Sequence, residues 1–368
     1  MSKIGGKHLA KIVVVGVGGS GSGAVSRMAK CKLQGVDLIS LNTDIQDLNH
    51  KKADIKLQIG KNITAGLGAG MNPEIGRMAA EESREEITEV LKGANLIFIT
   101  CGMGGGTGTG AAPVVAEEAK KQGALTIAVV TKPFSFEGIQ RTQLAEEGLA
   151  RLREKVDSLI VIPNDKLLGV IDDKTSLLNA FWICDEILRQ AVQGISDLIA
   201  LPGIINIDFT DIKAVMENSG SALMGVGRAK GKDRAQAAAK AAINSPLLDV
   251  SIDGARGILF NVSGKSDMTL SEINEAAKII TEAVDPNAKV IFGAVQDDRL
   301  RQNEIKVTVI ATGFEKGNII KNLKMFDQAH KIPVIEQKMD NQKQEPVQTE
   351  EEKDEWDVPA FLRKKNKK

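Results

Sequence analysis

CGMGGGTGTGAAP, Cys101–Pro113, packs six glycines into the nine positions from Gly102 to Gly110. Ordering so many glycines costs too much backbone entropy for a mere connection, so the segment reads as a loop whose backbone approaches a ligand closely. A β-branched run, LIFIT, precedes it and a helical pattern, VVAEEAKK, follows. A glycine-rich turn from strand to helix presents free amides and the positive end of a helix dipole at one point, which suits phosphate. Thr107 and Thr109 add hydroxyl donors.

Two more segments repeat the theme. GVGGSGSG, Gly16–Gly23, follows Ile12–Val15 and opens a helix. Its Gly16, Gly18 and Gly21 satisfy G-x-G-x-x-G, with Asp37 about 20 residues on. Alone that is a weak dinucleotide fingerprint, and a tight strand–helix turn is the competing reading. GLGAGMNPEIG, Gly66–Gly76, is placed to close over the same ligand. Three such loops point to a polyphosphate, such as a nucleoside di- or triphosphate. None carries the lysine of G-x-x-x-x-G-K-[ST], so amides, helix dipoles and a divalent ion, Mg2+, are expected to meet the phosphate charge. The loops contain no general base.

From Lys11 to about Ile171, β-branched runs (Ile12–Val15, Leu38–Leu41, Leu96–Thr100, Thr126–Val130, Ser158–Ile162) alternate with helical patterns. This predicts a parallel sheet wrapped by helices. Apolar residues then recur at helical spacing from Leu177 to Ile199, with Asp173 or Thr175 placed to cap the helix and Pro202-Gly203 to stop it. At 1.5 Å per residue it would run on the order of 37 Å, which suits a spine between two domains. A second α/β region offers strands at Ile204–Asp208, Ala222–Ala229, Gly257–Val262, Lys289–Val295 and Ile305–Ala311, and helices at Asp233–Ile243 and Leu270–Ala283. The expected division is 11–173, a helix over 174–202, and 203–314. Just past the spine, NIDFTD carries Asn206, Asp208 and Asp211. Aspartates three apart can share a face and polarise a water or bind a cation. They can equally cap a helix and occupy its first turn.

The 368 residues hold 48 Lys plus Arg against 48 Asp plus Glu, and the zero net charge argues against general nucleic-acid binding. No apolar stretch reaches the ~18 residues of a membrane span. Lys3, Lys7 and Lys11 before IVVVGVGG mimic a signal peptide, but the apolar core is too short, and a cytoplasmic protein is expected. Cys31, Cys101 and Cys184 lack paired metal-ligand spacing and are expected to be small buried hydrophobes. Residues 315–355 read as a flexible linker, with 336–355 rich in Glu, Gln, Lys and Asp. The end, WDVPAFLRKKNKK, sets apolar anchors directly before a basic cluster, which reads as a docking peptide over 356–368 or as a frayed terminus.

Together these residues resemble a family. GGGTGTG, Gly104–Gly110, is similar to the signature of the tubulin/FtsZ superfamily. Around it stand GVGGSGSGAV, LNTD (Leu41–Asp44), GLGAGMNPEIG, VVTKPFSFEG (Val129–Gly138), VIPND (Val161–Asp165), LRQAVQGISDLI (Leu188–Ile199) and NIDFTD, in the order and spacing of the bacterial FtsZ division GTPases. The resemblance implies a Rossmann-like GTPase domain, a long central helix and a C-terminal α/β domain with a mixed sheet. It further implies a GTPase whose subunits stack head to tail in the cytoplasm at midcell, forming the division ring. By the same resemblance Gly18, Gly19, Ser20 and Gly21, with Gly104, Gly105, Gly106, Thr107, Gly108 and Thr109, would hold phosphates, and Gly70, Met71 and Asn72 would lie near the γ-phosphate. Gly23, Asn42, Glu137, Arg141 and Asn164 fall among nucleotide-binding positions. Phe181 would stack on guanine, and Asp185 would accept its N1 and N2 hydrogens. Asn206, Asp208 and Asp211 would act in trans on the neighbouring subunit's GTP, arranging the attacking water, with Mg2+ held mainly by phosphate and water. No side-chain metal ligands, nucleic-acid partner or membrane insertion follow. Asp357, Val358, Pro359, Ala360, Phe361, Leu362, Arg363 and Lys364 resemble the peptide that docks membrane-tether adaptors of FtsA or SepF type.

Departures from the family pattern are local. Gly23 stands where an asparagine usually reaches the base and ribose, Met71 replaces a usual alanine, and Trp182 and Cys184 are atypical near the base. One missing side-chain hydrogen bond would weaken nucleotide contact by ~0.5–1.5 kcal/mol. Three other readings compete. A dehydrogenase explains only the first loop. A non-hydrolysing filament is motivated by Gly23 and Met71. A paralogue serving cell shape or plasmid segregation is opposed by the terminal peptide.

Overall fold

The computed structural model describes residues 10–33, 35–168, 175–200, 203–205, 207–245, 248, 252 and 254–314. Asn206, Asp173, Pro202, the 315–355 linker and the 356–368 peptide lie outside the described residues.

Six parallel strands open the chain: β1 (Ile12–Val17), β2 (Val36–Asn42), β3 (Ile55–Gln58), β4 (Leu96–Gly102), β5 (Leu125–Lys132) and β6 (Ser158–Pro163). Their spatial order is β3-β2-β1-β4-β5-β6. A parallel sheet is covered on both faces, so its strands are apolar throughout, and all six residues of β1 are buried. The alternation still divides them. Ile12 and Val14 join one core with Phe98 and Ile127, while Val13, Val15 and Val17 join another with Ile97 and Ile99. Strand order reverses between β1 and β4, and open α/β sheets bind ligands beyond the carboxyl ends of the strands at such a point. The glycine loops after β1 and β4 both start there.

The remaining strands are β7 (Gly203–Ile205), β8 (Gly220–Lys230), β9 (Gly257–Gly264), β10 (Lys289–Gln296) and β11 (Glu304–Thr312), in the order β8-β11-β9-β10-β7. They form the expected mixed sheet, antiparallel at β8–β11, β11–β9 and β10–β7 and parallel at β9–β10. A short parallel pairing, Ser158–Ile160 with Gly220–Ala222, joins β6 to β8. The expected strand Ile204–Asp208 shortens to β7, because Ile207 turns into the core shared with the central helix.

The central helix runs Leu177–Ala200. The hydroxyl that accepts in its first turn belongs to Ser176, from the Asn179 N–H at 3.3 Å, rather than to Thr175. Leu188, Ala191, Val192 and Ile195 are buried in a core holding Val14 and Phe98 from the first sheet and Leu259 and Ile310 from the second. Asp197 near its end accepts from Arg299 Nη2 at 2.8 Å, and Arg299 Nε donates to Asp297 at 2.6 Å. These links tie the helix to the loop between β10 and β11. Of the cysteines, Cys101 and Cys184 are buried as expected, but Cys31 is exposed, where the first helix ends.

Candidate functional site

The helix after the second glycine loop is Thr107–Lys121, so it starts six residues before Pro113 and takes TGTG as its first turn. Pro113 lies inside it. The expected boundary fails because the first turn needs no N–H partners, so glycine and threonine can form it while a ligand fills the gap. The first amide bonded back along this helix is Gly110 N–H to Gly106 O at 3.0 Å, which leaves those of Thr107, Gly108 and Thr109 free of helix partners. The first helix, Gly18–Lys30, begins equally abruptly after β1. Neither helix has a side-chain cap or an acidic residue in its first turn. Both N-termini open on one cavity of about 390 Å³, within the usual range for small-molecule sites. Two uncapped helix dipoles converging on one space make an anion site.

Gly18, Gly19, Ser20, Gly105, Gly106, Thr107 and Gly108 line this cavity. Gly18 is held at φ +73°, and a Cβ there would lie 2.9 Å from the Gly108 amide, so the two loops touch through it. Other glycines serve packing. A Cβ on Gly110 would meet Pro73 O at 1.9 Å, because helix Pro73–Glu82 lies directly against helix Thr107–Lys121. Gly21 is pressed against Thr100 O of β4 in the same way.

Gly23, Phe181, Asp185, Glu137, Arg141 and Asn164 also line the cavity. Phe134 is buried and meets Phe181 edge-on at 5.6 Å, which leaves Phe181 part exposed beside the cavity. Asn164 Oδ1 is buried without a hydrogen-bond partner, which costs about 1–3 kcal/mol unless a ligand satisfies it. Glu137 accepts from the Phe134 N–H at 2.9 Å and pairs with Arg141. Asp185 accepts from Arg27 Nε at 2.7 Å, and Arg27 lies 5.6 Å over the Trp182 ring. Burial raises the Asp185 carboxyl above its ordinary value, while Arg27 and Lys51 oppose the rise. Burial, with the Asp185 charge second, pushes the Cys184 thiol up to about 12, so this lining residue stays a protonated thiol at neutral pH.

Seven predicted residues do not line the cavity. Thr109 is almost fully buried, and its hydroxyl accepts from the Gly104 N–H at 2.9 Å, so it shapes the loop from within. Asn72 spends its side chain capping helix Pro73–Glu82 at the Glu74 N–H. Gly70 and Met71 adopt left-handed φ of 49° and 54° on the outer side of that turn, with the Met71 side chain 40% exposed. Asn42 is buried and donates to Asp47 Oδ2 at 2.9 Å. Gly21 and Gly104 support the loops from behind, each with no room for a Cβ. Asp37 is half exposed and 3.9 Å from Lys11, so the acid required by a dinucleotide fingerprint is absent from the cavity.

Asp208 and Asp211 also lie outside the cavity. Asp208 occupies the N-cap position of helix Phe209–Met216 without using its side chain as a cap, and both carboxylates are exposed. The capping alternative thus describes the position correctly and the side chain incorrectly. From Asp185 to Ala200 the central helix rises about 22 Å, so the acids follow the far end of the helix whose near end reaches the cavity. Sequence reading missed Lys51 and Arg27. Lys51 sits in the charged run HKKAD, typical of solvated surface, and Arg27 is the lone charge among the small and apolar residues of GAVSRMA.

The family model for the Tubulin/FtsZ family GTPase domain matches residues 11–172, and that for the FtsZ family C-terminal domain matches 220–315. An empty FtsZ dimer from M. jannaschii is 49% identical, with a TM-score of 0.80, over 83% of this chain and 88% of its own. A tryptophan-to-tyrosine mutant of that FtsZ gives the same identity and TM-score, covering 91% of its own chain. A GTPγS-bound protofilament of CetZ2 from Haloferax volcanii has the same fold at 20% identity and a TM-score of 0.72, over 87% of this chain and 99% of its own.

Proposed function

Because this chain belongs to the tubulin/FtsZ family and is a GTPase of FtsZ type, we propose that it polymerises head to tail into the filaments of a cytoplasmic division ring at midcell, hydrolysing GTP where successive subunits meet. The separation of the acidic loop from the cavity carries this reading. The two carboxylates that line the cavity have other work: Glu137 accepts from the Phe134 N–H and from Arg141, and Asp185 gives Oδ2 to Arg27, which leaves Oδ1 for the base. Asp208 and Asp211 are exposed and elsewhere. A second copy docking its acidic loop onto the cavity would complete the site.

In that site the free amides of the two helix starts hold the phosphates, Phe181 stacks on guanine, and Asp185 accepts from N1 and N2. Asn164 supplies its unpaired oxygen. The neighbour's Asp208 and Asp211, with Asn206, orient the water for in-line attack, and positioning plus electrostatics is most of what phosphoryl transfer needs. No cluster of three or more His, Cys, Asp or Glu side chains suited to a metal occurs among the described residues. The hydroxyls of Ser20 and Thr107 on the phosphate loops fit Mg2+ held largely by phosphate and water, which would draw off phosphate charge.

GTP turnover per molecule, measured against protein concentration with light scattering, tests the reading. Both are expected to rise together above a threshold. Turnover per molecule that is flat from dilute to concentrated protein would mean a complete site in each chain. The terminal peptide Asp357–Lys364 is proposed to dock an adaptor of FtsA or SepF type. Removing Asp357–Lys368 is expected to abolish adaptor capture and leave polymerisation intact, and unchanged capture would refute the docking role.

A further inference from the structure

We propose that Lys51 is a nucleotide-binding residue, donating from the place left open by Gly23 to the nucleoside end of a bound guanine nucleotide. The proposal rests on the reading of the cavity as a GTP site and adds a residue to it. Gly23 faces the cavity, and a Cβ built there would lie 3.7 Å from Asp185 Oδ2 and 4.0 Å from Lys51 Nζ. An ammonium and a carboxylate therefore flank the position where this chain has no side chain.

Lys51 reaches that position because it is held. It ends the short helix Ile45–His50, and its Nζ lies 3.0 Å from Asp47 Oδ1. The other oxygen of Asp47 accepts from Asn42 Nδ2 at 2.9 Å, and Asn42 is buried at the end of β2. Asn42 is thus a positioning residue, acting on the cavity through Asp47. The Lys51 side chain is only 26% exposed, unlike a lysine left to solvent.

An ammonium has three donors. Asp47 takes one, and the others are free for acceptors such as ribose hydroxyls or the purine edge. Two cations line the cavity among the described residues, Lys51 and Arg141. Arg141 is paired with Glu137, and Arg27 behind the wall is engaged by Asp185 and Trp182. Lys51 is the cation of this cavity that lies within 4.0 Å of a Cβ built on Gly23. Gly23 is five residues along the first helix from Gly18, about 7.5 Å from the phosphate-facing terminus, which places the contact at the nucleoside. The competing reading is an ordinary i,i+4 ion pair with Asp47, which would add little to stability and nothing to affinity.

Fluorescence titration of the full chain with GDP and with GTP separates these readings. Lys51→Ala is expected to weaken both nucleotides by about tenfold, the loss of a charge-assisted hydrogen bond. Adding Gly23→Asn to Lys51→Ala is expected to recover most of the loss, because the room at position 23 admits a side chain. Should Lys51→Ala melt lower than wild type, Lys51→Gln, which keeps the stem and removes the charge, is read in its place. Affinities within about twofold of wild type would overturn the proposal, and so would a loss confined to GTP, which would put Lys51 at the γ-phosphate. Failure of the wild type itself to bind guanine nucleotides would instead remove the GTP-site reading, and this proposal with it.

Discussion

Asp211→Ala is expected to lower GTP turnover by about 10²–10³-fold, the usual cost of removing one preorganised polar group at a reacting centre. Nucleotide affinity is expected to stay within about twofold of wild type, since Asp211 does not line the cavity. A cut of this size follows from where the carboxylates stand: Glu137 is paired with Arg141, and Asp185 is paired with Arg27 and assigned to the base, so neither takes the place of the lost acid. The sharper form of the experiment mixes two inactive proteins. Asp211→Ala keeps a good cavity, and Asp185→Ala keeps a good acidic loop. In co-assembled filaments about a quarter of the contacts would join the intact halves, and turnover should reappear in that proportion. A mixture as inactive as its components would locate the acid and the cavity in one chain.

The largest stability effect is expected at Gly110, which faces no ligand. Gly110→Ala would drive a methyl to 1.9 Å from Pro73 O and 2.7 Å from the Arg77 amide, both backbone atoms that cannot rotate away. Separating the two helices should cost about 3 kcal/mol and lower Tm by about 5–10 °C. Gly105→Ala is the matched control. It lies five residues earlier in the same loop, lines the cavity, and has nothing within 4 Å of its would-be Cβ. That variant should melt like wild type while binding nucleotide more weakly. Gly110→Ala melting within about 2 °C of wild type would mean that the helices part easily and that the glycine is not there for packing.

This pair also marks where sequence reading ran out. The alternation of β-branched runs with helical patterns was enough to predict the parallel sheet, because strands buried on both faces have few other compositions. The spine helix was legible from its periodicity; of its two expected caps Asp173 lies outside the described residues, and Ser176 accepts from the Asn179 N–H where Thr175 was expected to act. The glycines were legible as a group and not one by one. Nothing in GGGTGTG separates Gly105, which faces the cavity, from Gly110, which faces another helix, since that depends on how helix Pro73–Glu82 packs. The same limit applies to Asn42, Asn72 and Thr109. Each is a polar residue in a matching motif whose side chain bonds to its own surroundings, at Asp47, the Glu74 N–H and the Gly104 N–H respectively. Lys51 lies in the run HKKAD, where composition says surface, and only three-dimensional proximity to Gly23 says otherwise.

In the proposed filament, the distance between cavity and acidic loop would also set how turnover scales with polymer length. Unless its rotation closes a ring, the proposed head-to-tail contact between unlike faces leaves a row that ends with one cavity no acid reaches and one acidic loop with nothing to act on. The number of working sites is one fewer than the number of chains. A dimer would run at half the rate per chain of a long filament, and every filament would carry GTP longest at the same end. Polarity of nucleotide age would then be a property of the chain's own layout, present before any other protein joins.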